Sequence, residues 1–568
     1  MLRPQLYRDF ATLLETRQPL LEAAPAPARS ADEASRLRRS VLPGRRPRPW
    51  DWSFVALSVL VGLWALFQNL YKIGTAPILA DEPGYSRSGW AYLHGDIQTP
   101  LTSAEARALV ANADNFEHPP LGKYLFGLAE LVSGTPDSLT AARVVSATAT
   151  LVAAGLVALW LGRTVGRWTG LLAGGLLTVL PESANGSDGR FDRFAMLDPV
   201  ASMFMVVSVI LAWEWARRAG RAAWIYAIFT GVAVGCASGS KENGFLGAVG
   251  LVPVVVLAAV ATRRRHEILA RCGQALAAVA VSLGVFVGFY LPLGQPVARI
   301  SYLIDFQSAQ STLGHEIGFA GRVSSWPPWW ANLWFAGHDY GSVLTVFLVV
   351  CVVCALVLRR DRVVGWCAAA LAAPFVFHCL IAHVALGYYW VMWTPMFLAL
   401  AAIGATEVIR LASKARRLRT AVVVATGVAV LAVPITQSAM ESVTVARIQP
   451  NGPQVVASLM HEHGLSGAIV STGVAGWAWS YYLPGTKVYE AASGPVTGAE
   501  TVVVAQPQCR DPLDPSVRAL VAVNLASRRI KEIYSDSTII VYAATGPLII
   551  PTTRQIHAEP VSEATEGC

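Results

Sequence analysis

Long apolar runs alternate with short polar stretches through most of this chain. Many of these runs approach the roughly 20 apolar residues with which a helix crosses the hydrocarbon core of a bilayer. The pattern predicts a polytopic α-helical membrane protein with about eleven transmembrane helices. They are expected near residues 52–71, 139–162, 168–182, 194–215, 222–240, 243–262, 269–292, 341–358, 363–384, 389–411 and 420–438.

Residues 440–568 follow a different pattern, with shorter apolar segments separated by polar turns. Alternating apolar positions predict strands, and longer amphipathic segments predict helices. We therefore expect a soluble α/β domain, with the last two strands forming a hairpin. Its elements are predicted as helices 453–463 and 515–525 and strands 467–471, 500–505, 530–534 and 538–542. Cys509 and Cys568 permit a disulfide in an oxidising compartment without establishing one.

Residues 1–50 carry ten arginines and no lysine, with many prolines and alanines. Such a segment lacks the apolar surface to form a packed core, so it is predicted to be a mobile tail with a short helix near residues 6–18. The apolar run that starts at about Trp52 is expected to be the first membrane anchor, because no cleavable signal sequence precedes it.

Composition supports the membrane class. Hydrophobic residues make up 54% of the chain, charged residues only 14%, and the mean hydropathy is +0.46. The net charge is +8, but no basic stripe with interleaved aromatic residues is present, which argues against a nucleic-acid-binding role. Six lysines stand against 39 arginines, and alanine and valine are abundant; this composition is typical of a high-GC bacterium such as an actinobacterium.

The arginines also predict an orientation. With a cytoplasmic amino terminus, every loop assigned to the inside is rich in arginine, as positive-inside asymmetry requires. This assignment holds only if the helix near residues 121–133 lies along or dips into the outer face without crossing. The arginine-rich inside loops are residues 163–167, 217–221, 263–271, 359–362 and 410–419.

The same orientation brings polar groups from five places to the outer side. These places are Asp81–Glu82, Glu117–Lys123, Arg190–Asp198, Lys241–Glu242 and the loop of residues 293–340. Each group alone is compatible with an ordinary solvated loop. As a set they indicate an active site, since charges at or inside the ends of membrane spans are costly unless they are used or paired.

The order of these motifs resembles the protein O-mannosyltransferase family. It consists of Asp81–Glu82, the sequence HPPLGK from His118, Arg143 at the head of the next span, GRFDRFAMLD over residues 189–198, and Lys241. The aminoarabinose transferases that modify lipid A share much of the pattern. The loop HEIGFAGRVSSWPPWW over residues 315–330 also resembles a mannosyltransferase segment. The likeness extends over about residues 52–410 and implies a GT-C glycosyltransferase fold with a polyprenyl-phosphate sugar donor.

The resemblance implies a role for each site residue. Asp81 is the candidate base that takes the proton of the acceptor hydroxyl, with Glu82 as a supporting acid. Direct displacement by one base predicts inversion at the anomeric carbon. Cations are expected to neutralise the donor phosphate, and further polar side chains to support the donor and acceptor sites. The candidate cations are Arg143, Arg193, Lys241 and Arg322, and the supporting residues are Glu117, His118, Lys123, Asp198 and His315.

Glu117 and His118, which precede the two prolines, combine a feature of the aminoarabinose transferases with one of the mannosyltransferases. The resemblance therefore leaves the sugar and the acceptor open. Glu117, His118 and His315 could hold a divalent cation, but no tight metal-ligand spacing supports it, so no obligatory metal is expected. Cys351 and Cys354 form a C-x-x-C pattern inside an apolar helix, where packing is the expected role.

The sequence thus predicts an inverting glycosyltransferase of a bacterial plasma membrane. It would move mannose or a pentose from a polyprenyl-phosphate donor to a cell-envelope glycan, lipid or protein on the outer side. The alternative is a multi-span transporter or lipid-sugar flippase with an external domain. That alternative favours broken helices at mid-membrane, whereas the charged residues here gather at one side.

Overall fold

The structure is a computed structural model. It describes residues 51–555 except 77, 80, 98–101, 110–113, 181–189, 262–264, 315–316, 321, 383–384, 387, 414–418, 449, 451, 473–478, 480, 490–497, 506–514, 536–538 and 553–554. The predicted tail helix, His315, Cys509 and Cys568 lie outside these residues, as does the side chain of Arg322.

Helices make up most of the described chain. In chain order they are α1 (Trp52–Leu70), α2 (Glu82–His94), α3 (Ser103–Arg107), α4 (Leu121–Ser133), α5 (Leu139–Thr164), α6 (Arg167–Val179), α7 (Leu197–Arg217), α8 (Gly220–Ser240), α9 (Leu246–Ala261), α10 (Arg265–Gly288), α11 (Pro296–Leu313), α12 (Ala331–Tyr340), α13 (Ser342–Leu358), α14 (Arg362–Val376), α15 (Thr394–Ala412), α16 (Arg419–Arg447), α17 (Pro453–Glu462) and α18 (Pro515–Ala526).

A helix occupies each of the eleven predicted transmembrane positions, and not all of these helices have the length of a full span in the part of the chain that the structure describes. Within the described residues, seven helices are long and apolar enough to cross a membrane, or eight if the bent pair α12–α13 counts as one span. Helix α6 has 13 residues and α9 has 16, so each falls short of the roughly 20 residues that a straight crossing needs.

The helix predicted not to cross the membrane is α4, and at 13 residues it is about 20 Å long and is not among the candidate spans. It packs against α2, an element that the sequence pattern did not predict. The two helices touch at Gly89 and Gly127, where a Cβ on Gly127 would lie 2.2 Å from the Gly89 carbonyl oxygen. Only glycines permit this close approach of the two backbones.

The segment between α10 and α13 is built from short elements. Helix α11 is followed by a two-stranded antiparallel hairpin, β1 (Ile317–Phe319) with β2 (Arg322–Ser324), and then by α12. Helices α12 and α13 meet at an angle of 111°. Gly341 joins them with a φ of +75°, a conformation that favours glycine.

The carboxy-terminal part of the described chain contains a mixed five-stranded sheet in the order β4-β3-β5-β7-β6. Strand β3 runs parallel to β4 and β5, and β7 is antiparallel to β5 and β6. The predicted hairpin is therefore correct. Strand β4 was missed because it has only two residues. The strands are β3 (Ala468–Thr472), β4 (Val488–Tyr489), β5 (Ala499–Ala505), β6 (Ile530–Ser535) and β7 (Ile539–Ala544).

Helices cover both faces of this sheet, because alternate side chains of its strands point to opposite sides. Val456 of α17 packs with Ile469 and Val503 on one face. Leu520 of α18 packs with their neighbours Val470 and Val502 on the other. The expected α/β arrangement is thus present in the described residues.

Candidate active site

Asp81 stands at the N-terminal end of α2 and is only partly buried. Its side chain does not cap the helix, so its oxygens are left for other partners. The phenols of Tyr85 and Tyr388 donate to the same oxygen, Oδ2, at 3.4 and 3.3 Å. Burial is the main cause that raises the pKa of both phenols well above the ordinary value, and the charge of Asp81 is the second. Both phenols therefore stay protonated and act as donors.

Glu82, the adjacent carboxylate, is fully buried and has both oxygens occupied. Arg143 donates to Oε1 and to Oε2, each at 2.7 Å. The backbone N–H groups of Leu79 and Ala195 complete the set at 2.8 and 2.6 Å. A carboxylate with four donors is held firmly and is not exposed to a substrate, so the geometry makes Glu82 a structural group.

The arginines expected at the donor phosphate are buried and used within the protein. Besides Glu82, Arg143 donates to the carbonyls of Ile73 and Ala76, both at 2.9 Å. Arg193 donates to the carbonyls of Gln68 and Tyr71. These hydrogen bonds tie both guanidinium groups to backbone carbonyls, and Arg143 also to Glu82, so the structure places them in the framework.

Lys241 and Asp198 form a buried ion pair beside Asp81. Lys241 Nζ lies 3.3 Å from Asp198 Oδ2, and over the rings of Tyr388 and Tyr389 at 5.5 and 5.9 Å. Burial alone would lower the pKa of Lys241, but the carboxylates of Asp198 and Glu242 raise it above its ordinary value. Tyr388 thus donates its hydroxyl proton to Asp81 and packs its ring against the ammonium group of Lys241.

His118 contacts Glu242 across the same cluster, with 3.0 Å between Nδ1 and Oε2. Both side chains keep some exposure, 18% and 23%. Burial alone would raise the pKa of Glu242, yet the charge and hydrogen bond of His118, with the charge of Lys241, hold it down at about 2. The ring of Tyr85 lies edge-on to the imidazole at 5.7 Å between centroids.

Lys123 holds the turn that carries His118. Its buried ammonium donates to the His118 carbonyl at 2.8 Å and to the carbonyl of Asn115, and it lies over the ring of Tyr92. Burial lowers the pKa of Lys123 to about 7, partly offset by the carboxylate of Glu117. Its role in this geometry is to fix the turn.

The structure therefore brings Asp81, His118, Asp198 and Lys241 together and assigns Arg143 and Arg193 to the surrounding framework. Glu117 is buried under the cluster. Sequence reasoning missed Tyr85 and Tyr388. Tyr85 follows Asp81 by one helical turn, a spacing that places both on one face. Tyr388 falls just before the predicted span 389–411, whose helix begins only at Thr394.

Pro395 in the first turn of α15 is the signal for that later start, because proline favours the first helical positions. The short 3₁₀ turn Tyr389–Met392 precedes the helix and leaves Tyr388 outside it. A proline nearly two turns inside a predicted span thus marked a loop that carries a site residue.

No group of three His, Cys, Asp or Glu side chains with metal-binding geometry occurs among the described residues. His315, the third member of the candidate cation site, is not described. Two side chains hold the backbone of the other two members in place. Gln307 donates to the Glu117 carbonyl at 2.8 Å, and Lys123 donates to the His118 carbonyl.

An apolar cavity of about 560 Å³ lies next to the cluster, between α9 and α14. Its wall includes Phe245, the last residue of the 3₁₀ turn that starts with Glu242, and Leu246, the first residue of α9. On the other side it is closed by Phe377 and Ile381, which flank the buried His378. A charged cluster therefore adjoins an apolar cavity, an arrangement suited to a ligand with a polar head and an apolar chain.

Comparisons with known proteins agree with this architecture. Residues 111–292 match the family model for dolichyl-phosphate-mannose-protein mannosyltransferase. The crystal structure of ArnT from Cupriavidus metallidurans bound to undecaprenyl phosphate has a TM-score of 0.55 at 15% identity, covering 89% of this chain and 100% of that chain. The Archaeoglobus fulgidus oligosaccharyltransferase tethered to an acceptor peptide has a TM-score of 0.51 at 12% identity, covering 89% of this chain and 76% of that chain.

No curated protein sequence matches the chain. At such low identities the two structural similarities show the fold, which is that of the GT-C enzymes. The family match covers the segment that holds Glu117, His118, Lys123, Asp198 and Lys241. The resemblance expected from the motifs is thus confirmed: residues 111–292 of this multi-pass membrane protein are similar to the dolichyl-phosphate-mannose-protein mannosyltransferase family, and the chain shares its fold with ArnT.

Proposed function

We propose that the protein is an inverting glycosyltransferase that moves a sugar from a polyprenyl-phosphate donor to a hydroxyl group, with Asp81 as the base. The observation that carries this proposal is the contrast between two adjacent carboxylates. Glu82 is buried under four donors, whereas Asp81 is partly exposed and accepts two long phenolic hydrogen bonds. Asp81 is the one of the two that can receive a proton.

In this mechanism Asp81 takes the proton from the acceptor hydroxyl as the oxygen attacks the anomeric carbon. The bond from that carbon to the lipid phosphate breaks on the opposite face, so the anomeric configuration inverts. Tyr85 and Tyr388 orient the carboxylate through Oδ2 and leave its second oxygen toward the acceptor.

Lys241 is the cation that we assign to the departing phosphate, because it is held among Asp198 and two tyrosine rings next to Asp81. The polyprenyl chain would occupy the apolar cavity that begins at Phe245. The undecaprenyl phosphate in the ArnT structure supports a donor of this class. Arg322 and His315 remain candidates for further donor contacts, on the strength of the sequence motif alone.

The acceptor is proposed to be a cell-envelope glycan, lipid or protein on the outer side of a bacterial plasma membrane, and the sugar to be mannose or a pentose. The peptide in the Archaeoglobus fulgidus structure supports a protein acceptor for that fold. The arginine pattern supports the outer side, since it puts Asp81 opposite the basic loops.

The test is Asp81→Asn in purified enzyme with a polyprenyl-phosphate sugar. The amide keeps the size of the side chain but cannot accept the proton, so turnover should fall by about 10²–10⁴-fold. Donor affinity, measured separately, should change little, because a carboxylate does not attract a phosphate. Unchanged turnover in the variant would contradict the assignment of Asp81 as the base.

A further inference from the structure

The carboxy-terminal sheet region is attached to the membrane helices through a hydrogen-bonded tyrosine. Tyr481 donates its hydroxyl proton to the Asp137 carbonyl at 2.8 Å and accepts from the Leu139 N–H at 3.4 Å. Asp137 lies in the turn between α4 and α5, and Leu139 is the first residue of α5. This one phenol therefore fixes the point where α5 begins.

The turn itself has little freedom to adjust. Asp137 adopts a φ of +52°, which an aspartate tolerates but does not favour. Ser138 caps α5 by accepting from the Ala141 N–H at 3.3 Å. A change in the Tyr481 contact would thus be transmitted to the start of α5.

Helix α5 carries Arg143 one turn after Leu139. Arg143 is the residue that holds both oxygens of Glu82, directly beside Asp81. The phenols of Tyr481 and Tyr482 both interact electrostatically with Arg143. The contacts thus run without a break from Tyr481 through the turn, Arg143 and Glu82 to the backbone of the proposed base.

A second attachment acts on the same framework. The ammonium of Lys72 donates to the carbonyls of Ala446 and Ile448, at 3.0 and 2.9 Å, where α16 ends and the chain enters the sheet region. Lys72 immediately precedes Ile73, whose carbonyl accepts from Arg143. Tyr481 of the sheet region and the end of α16 that leads into this region therefore each contact a segment next to the Arg143–Glu82 pair.

We propose that the carboxy-terminal region is part of the catalytic framework, and that Tyr481 is a positioning residue that acts through Arg143 and Glu82 on Asp81. This inference rests on the proposed function, because it assumes that Asp81 is the base. It gives the region a role in turnover that is separate from any role in binding the acceptor.

The test compares Tyr481→Phe with Tyr542→Phe in the full-length purified enzyme. Tyr481→Phe removes only the hydroxyl, and we expect kcat to fall by about 5- to 20-fold while KM for donor and acceptor stays within about twofold, as expected for misplaced catalytic geometry. Tyr542→Phe is the matched control, since it removes a hydroxyl from strand β7 of the same region, where the ring packs with Leu520 of α18, and its kcat should stay within about twofold of the parent.

A double-mutant cycle then tests the route. If Tyr481 acts through the ion pair, Tyr481→Phe should have little further effect on kcat in an Arg143→Lys background. Additive effects there would overturn the route. If Arg143→Lys does not fold, the comparison of the two tyrosine variants still decides the matter.

Three other results would overturn the inference. These are an unchanged kcat in Tyr481→Phe, an equal fall in Tyr542→Phe, or a change confined to the acceptor KM, which would make Tyr481 an acceptor-binding residue. The parent and Asp81→Asn are run alongside. A large loss in Asp81→Asn with none in Tyr481→Phe leaves the proposed function intact and removes only this inference.

Discussion

Asp81 and Glu82 are neighbours in sequence with opposite surroundings. One begins α2 beside the two phenols and keeps part of its surface open. The other points into the protein, where each of its oxygens already accepts two hydrogen bonds. Burial and partners, and not residue type, thus separate a group able to react from one that holds the fold.

Glu82→Gln should therefore impair the fold more than the chemistry. Whichever way the amide turns, its NH₂ group faces two donors, and Arg143 loses its buried counter-charge. Breaking a buried ion pair typically costs about 3–5 kcal/mol. The heating temperature at which monodisperse protein is lost in detergent, followed by size-exclusion chromatography, should drop clearly.

Asp81→Asn is the matched control for that measurement, because it lies next to Glu82 and makes the same acid-to-amide change at a partly exposed position. Its heat resistance should stay close to that of the parent. If the two variants lose heat resistance equally, the contrast between the two carboxylates is wrong.

At the scale of elements, the pair α2–α4 positions the reactive groups. Asp81 begins α2, and α4 carries Lys123, which fixes the turn with His118. The two helices are held at the distance set by Gly89 and Gly127, and Ser86 of α2 donates to Glu130 of α4. The position of Asp81 relative to His118 therefore depends on a contact between two backbones.

Gly127→Ala should separate these helices. The added Cβ would lie 2.2 Å from the Gly89 carbonyl oxygen, and backbone atoms cannot yield as a flexible side chain can. A displacement of about 1 Å at a catalytic group can cost on the order of 100-fold, so turnover should fall by about 10- to 100-fold.

Gly62→Ala in α1 is the matched control, since no neighbouring atom lies within 4 Å of the methyl group that this substitution adds. It should keep full turnover, because alanine is the better helix former and meets no clash. Turnover per folded enzyme is the measurement for both variants. Equal turnover in Gly127→Ala and the parent would show that the helix contact does not set the site.

The sequence predicted the long apolar helices and four of the five strands of the carboxy-terminal sheet, because both depend on local periodicity. It did not predict α2, whose residues are neither strongly apolar nor regularly alternating. Asp81 and Lys241 could be placed at the site from motif order. The ion pair between Arg143 and Glu82 could not be predicted from the sequence. The two residues are 61 positions apart, and their side chains meet only through tertiary packing.

At the scale of the whole molecule, the orientation of the chain in the membrane decides on which side the candidate active site meets its substrates. Among the described residues, the structure shows which helices are long and apolar enough to cross a membrane. The arginine-rich loops remain the argument for placing Asp81 outside.

Reporter fusions test that orientation directly. A reporter fused after Arg265, at the start of α10, should be cytoplasmic, and one fused after Gly464, beyond α17, should be external. An alkaline phosphatase fusion, which is active only outside, and a fluorescent protein fusion, which is active inside, give opposite signals at each point. Finding both points on the same side would remove the argument that the polar groups face the outside.

The Glu82–Arg143 and Asp198–Lys241 pairs, each joining distant parts of the chain, also bear on how the protein is made. In each pair the carboxylate is synthesised first: Glu82 precedes Arg143 by 61 residues, and Asp198 precedes Lys241 by 43. At about 5–20 residues per second, Glu82 waits about 3–12 s for its partner during synthesis. A buried acid without its cation is costly near lipid. The nascent chain must therefore keep these acids hydrated until the later helix arrives, and the first 241 residues are the shortest product in which both charges are neutralised.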